Sequence, residues 1–135
     1  MVTFYYRKMR SKVLGEIKRP VANIHLQTRK GKWIKYEPFI DSGADITIIP
    51  YSVGRYLGFK IQDDNIVEFH GVSGKVIPTI ITKVKMRIGD IELNPRVAWG
   101  LIEEAPPLLG RLDIFDEFNI TFKEKEGKII FEPVE

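Results

Sequence analysis

The chain has 135 residues, 44% of them hydrophobic and 29% charged, and it contains no cysteine. That length suits one domain with a sizeable core, and the missing thiols exclude disulfides, thiolate metal sites and cysteine nucleophiles. No apolar run approaches the length of a membrane span, and Met1 to Arg10 lacks the apolar stretch of a secretory signal, so a soluble cytoplasmic protein is expected, with no membrane partner.

The net charge of +3 conceals an asymmetry: ten Lys/Arg against two Asp/Glu up to Glu37 give +8, and 11 against 16 from Pro38 onward give −5. Such a basic segment, with Phe4, Tyr5, Tyr6, Trp33 and Tyr36 interleaved, has the composition of a nucleic-acid-binding arm. The reading favoured here places the cations on solvent faces and edges of strands, because the segment alternates like strands and turns.

In chain order, Val2 to Tyr6 and Lys12 to Lys18 read as paired strands closed off by Pro20. Val21 to Thr28 and Trp33 to Ile40 flank a hairpin turn at Arg29-Lys30-Gly31-Lys32. A further strand, Ile66 to His70, precedes Gly71-Val72-Ser73-Gly74 and a long run from Lys75 to Ile88. Val84, Met86 and Ile88 alternate there with Lys83, Lys85 and Arg87, the period of a half-buried strand. Gly89-Asp90 turns the chain into Ile91 to Trp99. Short helices are predicted over Tyr51 to Leu57, capped by Gly58, and over Leu112 to Phe118. Ile120 to Phe122 and Ile129 to Phe131 form a closing hairpin across Glu126-Gly127. The fold class is therefore all-β: a small, mostly antiparallel domain over residues 1–135, closed or nearly closed like a barrel, with one or two short helices. Residues 1–32 supply its basic N-terminal strands.

The chemistry concentrates at Phe39-Ile40-Asp41-Ser42-Gly43-Ala44-Asp45. A carboxylate ends an apolar run, a hydroxyl residue and a glycine follow, and a second β-rich run resumes at Ile46. A strand, a tight turn and a strand hold such a carboxylate rigidly among backbone N–H groups; an ordinary Asx-type turn uses the same residues. Two further elements follow in order: the glycine-bearing turn Gly71 to Gly74, and Leu108-Leu109-Gly110-Arg111, an apolar pair and a glycine.

Together these elements resemble the retropepsin-like aspartic proteases, the single-domain, retroviral-type family, and the ordered match runs from Trp33 to Phe122. Asp41-Ser42-Gly43-Ala44-Asp45 resembles the family's Asp-Thr/Ser-Gly-Ala signature, and Leu108-Leu109-Gly110-Arg111 its hydrophobic-hydrophobic-Gly-Arg element. The resemblance implies the barrel-like acid-protease fold, with Asp41 as catalytic aspartate and Ser42 linking the two catalytic loops. Gly43 would contact the substrate backbone, Asp45 would lie beside the cleft and pair with Arg111, and Gly110 would let its strand pass beneath the turn. Gly71, Val72, Ser73 and Gly74 would form the flap, and Ile46, Val72, Ile77 and Leu108 would line apolar subsites.

Aspartic proteolysis as a class uses two carboxylates sharing one proton, because like charges about 3 Å apart cannot both ionise. This chain has one Asp-Ser-Gly triplet, so a homodimer with both Asp41 residues on its axis is implied, acting on a peptide or protein substrate without metal or other cofactor. Ser42 stands where Thr is commoner, the flap has one glycine fewer than typical viral members, and the basic segment is longer than a minimal member needs. The rival reading is a catalytically silent binding module of the same fold, engaging nucleic acid or an acidic partner through its basic N-terminal third. His25 and His70 lie in no metal-ligand frame and read as structural or surface residues.

Overall fold

The computed structural model describes residues 1–70 and 74–135. Its first strands are β1 (Val2–Ser11), β2 (Gly15–Pro20), β3 (Ile24–Gln27), β4 (Trp33–Tyr36), β5 (Phe39–Ile40) and β6 (Thr47–Ile49), followed by helix α1 (Tyr51–Leu57). Then come β7 (Ile66–His70), β8 (Val76–Lys83), β9 (Met86–Ile88), β10 (Ile91–Leu93), β11 (Arg96–Gly100) and β12 (Leu108–Leu109). β13 (Phe118–Lys123) and β14 (Lys128–Pro133) close the chain, and single 3-10 turns occupy Asp63–Asn65 and Phe115–Glu117. No helix among the described residues is long and apolar enough to cross a membrane.

The strands form three sheets, ordered β13-β14-β1-β2, β10-β9-β3-β4 and β5-β12-β6-β11-β8-β7. One core joins them. Phe4, Phe118 and Phe131 meet edge to face, with centroids 5.2 and 5.3 Å apart about Phe131, and share a continuous cluster with Leu26, Met86, Trp99 and Leu109. The alternation expected around β9 holds: Val84, Met86 and Ile88 are buried, while Lys83, Lys85 and Arg87 are exposed. Each such buried side chain contributes about 1.5–3 kcal/mol relative to exposure.

Where the structure departs from the sequence reading, the reasons are local. The long Lys75–Ile88 run is two strands, because the chain leaves the six-stranded sheet after Lys83 and joins β3 through β9. The Ile91–Trp99 run breaks at Asn94-Pro95, and Trp33–Ile40 breaks at Glu37-Pro38, where proline has no N–H for a ladder. β1 extends to Ser11 and Lys12 falls in the turn. The second predicted helix shrinks to the 3-10 turn Phe115–Glu117, since Asp113 sits at φ 64, outside any right-handed helix, and Phe118 already opens β13.

Helix α1 has its predicted extent and ends on Gly58 in the left-handed conformation, φ 93, with the Gly58 N–H donating to Arg55 O. At its start the Glu103 carboxylate accepts from Ser52 N–H (3.0 Å) and Ser52 Oγ (2.6 Å), a cap supplied from a distant loop. Trp99 is fully buried, stacks on Tyr51 and donates its indole N–H to Tyr51 O (3.0 Å). Of the five aromatics in the basic segment, Phe4 and Tyr36 are buried and Tyr6 and Trp33 half-buried, leaving Tyr5 largely exposed. The Arg87 guanidinium covers the Trp33 ring at 4.0 Å.

Candidate active site

The Asp41 turn is built by two short strands that run parallel. β12 pairs with β5 so that Leu108 faces Phe39 and Leu109 faces Ile40. Both strands are too short to be stable alone, and the buried side chains of Ile40 and Leu109 fix them to the core. The pairing extends one step beyond β5, where Asp41 N–H donates to Leu109 O (3.0 Å). The chain then turns on itself: Gly43 N–H donates to Asp41 Oδ1 (2.9 Å), and Ala44 N–H to Asp41 O (3.1 Å). One carboxylate oxygen is thus fixed by the turn's own backbone. Asp41 is half-buried, and Ser42 and Gly43 are exposed at the tip.

The segment after β12 closes beneath this turn. Arg111 N–H donates to Ala44 O (3.0 Å) and Leu112 N–H to Asp45 O (2.8 Å). Gly110 N–H donates to the hydroxyl of Thr47, which is fully buried (3.0 Å). Only glycine fits at 110: a Cβ there would lie 2.3 Å from the carbonyl carbon of Ile46 and 2.8 Å from the nitrogen of Thr47. The close passage of this strand under the turn is therefore a steric fact of the fold.

The expected Asp45–Arg111 pair is present at 3.8 Å, with side chains 96% and 58% exposed. An ion pair so open to water contributes little, and the backbone bonds do the bracing. A stronger clamp lies two residues on. Asp113 accepts from Arg96 Nε (2.8 Å), Nη2 (3.0 Å) and backbone N–H (3.0 Å), tying the segment after Arg111 to β11. The Arg96 side-chain hydrogen bonds hold the Asp113 carboxyl down at about 2, well below the usual carboxylate range.

Asp41 to Asp45 and Leu108 to Arg111 thus come together as one unit. Of the expected flap, Gly71, Val72 and Ser73 lie outside the described residues. Gly74 stands at φ 78, and β7 and β8 pair antiparallel up to His70 opposite Val76, so a hairpin leads into that segment. Among the expected subsite residues, Ile77 and Leu108 are half-buried, whereas Ile46 is buried and presents little surface to a cleft. No group of three or more metal-ligating side chains occurs among the described residues. Thr47 and Asp113 escaped sequence reasoning. The only signal for Thr47 was a hydroxyl residue in the apolar run Ile46-Thr47-Ile48-Ile49.

Comparison with known proteins agrees with this geometry. A family model described as aspartyl protease matches residues 30–111, more than half of the chain. No curated protein sequence matches it. Among solved structures, a retropepsin-like aspartic protease from Rickettsia conorii superposes with a TM-score of 0.61 at 15% identity, covering 92% of this chain and 96% of that one. The EIAV protease complexed with the inhibitor HBY-793 gives a TM-score of 0.54 at 18% identity, covering 76% and 88%. With its all-β acid-protease fold and the matched segment that spans both halves of the Asp41 turn, the chain belongs to the aspartyl protease family.

Proposed function

We propose that this protein is an aspartic endopeptidase whose active site forms when two copies bring their Asp41 turns together. The observation that carries the reading is the Asp41 carboxylate itself, pinned through one oxygen by Gly43 N–H and seated by the bond from its own N–H to Leu109 O. One such turn holds one carboxylate, whereas aspartic proteolysis uses two that share a proton. In the paired site one Asp41 is ionised and takes a proton from the attacking water. The other is protonated and donates to the scissile carbonyl oxygen. The water oxygen adds to the carbonyl carbon, the C–N bond breaks, and the leaving amine takes up the proton.

Exposure of Ser42 and Gly43 at the tip supports the pairing, because these residues are free to meet their symmetry mates. Ser42 links the two turns through its hydroxyl, and Gly43 leaves room for an extended substrate. The β7–β8 hairpin closes over that substrate. Residues 1–135 act as one domain, which the single continuous core supports. The intrachain engagement of Phe4, Tyr36 and Trp33 weighs against base stacking by the N-terminal third.

Cleavage of an unbiased peptide mixture between acidic and neutral pH, read by mass spectrometry, tests the activity. Wild type cuts a consistent set of bonds and Asp41→Asn cuts none of them. Cutting of the same bonds by Asp41→Asn would remove Asp41 from the mechanism.

A further inference from the structure

Away from the Asp41 turn, three adjoining hollows meet around Phe59. One, of about 370 Å³, lies between the Gln62–Asn65 turn and β8 and is bordered by Arg29 and Lys60. A second, of about 290 Å³, shares Arg29 and Phe59 and adds Lys83 and Lys85. A third shares Phe59 and Lys60 and adds Arg55. Five cationic side chains therefore border a groove of three hollows that share lining residues, and no Asp or Glu lines any of the three. No residue of the Asp41 turn or of the Leu108–Arg111 segment contributes to it.

The floor of this groove is an unfinished sheet edge. β7 pairs with β8 only as far as Ile66 opposite Ile80, whereas β11 pairs with β8 on to Lys83. Ile81, Thr82 and Lys83 are thus laddered on one side alone. Alternate residues of a strand point their N–H and C=O to opposite sides, so backbone groups face the groove here. Exposed edges of this kind accept an added strand. Two exposed apolar side chains, Ile81 and Ile61, border the same region. Arg29 is held ready above it: its backbone N–H donates to Leu57 O (2.8 Å), its Nη2 to Thr82 Oγ1 (3.2 Å), and its guanidinium covers the Phe59 ring at 5.1 Å.

The geometry points to a docking groove for an extended acidic peptide segment, which adds as a strand to the open edge of β8 at Ile81–Lys83 while its carboxylates meet Arg29, Lys60 and Lys85. The open ladder favours a peptide over a nucleic acid, and so does the burial of Phe59 and Trp99, which leaves no ring in the groove free for a base to stack on. An occupant alternating apolar and acidic residues would place one set against Ile81 and Ile61 and the other toward the cations.

Fluorescence anisotropy with a short labelled peptide of alternating Glu and Val tests this, using wild type, Asp41→Asn, and the double variant Lys60→Glu/Lys85→Glu, whose sites are exposed. Wild type and Asp41→Asn bind the probe equally, binding weakens with added salt, and the double variant, folded by circular dichroism, loses about tenfold or more in affinity. A Lys-Val peptide does not bind. N-methylation at every Glu or at every Val abolishes binding in one pattern only, because alternate amides face β8. The proposal is overturned if the Glu-Val probe fails to bind at low salt, if the double variant binds it unchanged, or if Asp41→Asn loses it. It is also overturned if neither methylation pattern weakens binding, or if oligothymidine binds more tightly than the peptide through the same two lysines.

Discussion

Replacing Gly110 by alanine adds one carbon at the most confined point beneath the Asp41 turn. That carbon would stand 2.3 Å from Ile46 C, 2.4 Å from Ile46 O and 2.8 Å from Thr47 N, all backbone atoms that no rotamer change can move. Restoring ordinary contact requires about 1 Å of separation between the 110 segment and β6, on the scale of packing distances. Overpacking of this kind costs about 1–3 kcal/mol. The same shift stretches the bond from Gly110 N–H to the buried Thr47 hydroxyl, and a buried donor left unmatched costs about 1–3 kcal/mol more. The expected loss is therefore about 2–6 kcal/mol, a large part of a typical domain's stability and roughly 10 °C or more in Tm for a chain of this size. Gly127→Ala is the matched control: it meets no atom within 4 Å and carries only the strain of its φ of 70, about 1–2 kcal/mol. Urea denaturation of both variants at one protein concentration, fixed because assembly would shift the midpoint, separates them. A Gly110→Ala protein no less stable than Gly127→Ala would refute the steric account of the turn. Because Leu109 O accepts from Asp41 N–H, the remaining folded Gly110→Ala protein should also cleave peptides more slowly.

Thr47→Val keeps the shape of the side chain but removes the acceptor for Gly110 N–H; a loss of about 1–3 kcal/mol in urea denaturation is expected, with Thr47→Ser restoring most of it. Asp113 contributes to stability through its lowered pKa of about 2. Its unfolded-state value lies higher, so the contribution is present above pH about 4 and disappears as pH falls toward 2. Asp113→Asn should therefore be less stable than wild type at pH 5, with the gap narrowing toward pH 2; parallel stability curves would show that the Arg96–Asp113 clamp is inert. Gly54→Ala would put a Cβ 2.1 Å from Trp99 Nε1, against a fully buried ring. It should lower Tm and shift the tryptophan emission, and unchanged emission would mean that α1 does not rest on Trp99.

Much of the fold was legible because its signals are local. The alternation from Lys83 to Ile88 names a buried face directly, and Gly58 marks the end of α1 through its left-handed backbone. The Asp41 turn announced itself for the same reason, since its determinants lie within five residues, and Gly110 was flagged by its place after an apolar pair. What stayed hidden depends on partners far along the chain. Glu103 caps a helix 51 residues upstream, Thr47 accepts from a glycine 63 residues away, and Asp113 meets Arg96 across 17 residues. Nothing in residues 112–118 alone reveals that Asp113 takes a left-handed backbone, so apolar spacing there suggested a helix. The long strand runs were likewise divided by a change of sheet, which is a property of the whole assembly of strands.

The central claim is that one active site contains Asp41 from two chains. Wild type and Asp41→Asn chains refolded together at varied ratios test it most directly, with peptide cleavage expressed per wild-type chain. If each site uses both aspartates, mixed pairs are inactive and cleavage per wild-type chain falls in proportion to the wild-type fraction. If cleavage per wild-type chain stays constant as the mutant is added, each chain holds a complete site of its own, and the two-chain account is contradicted.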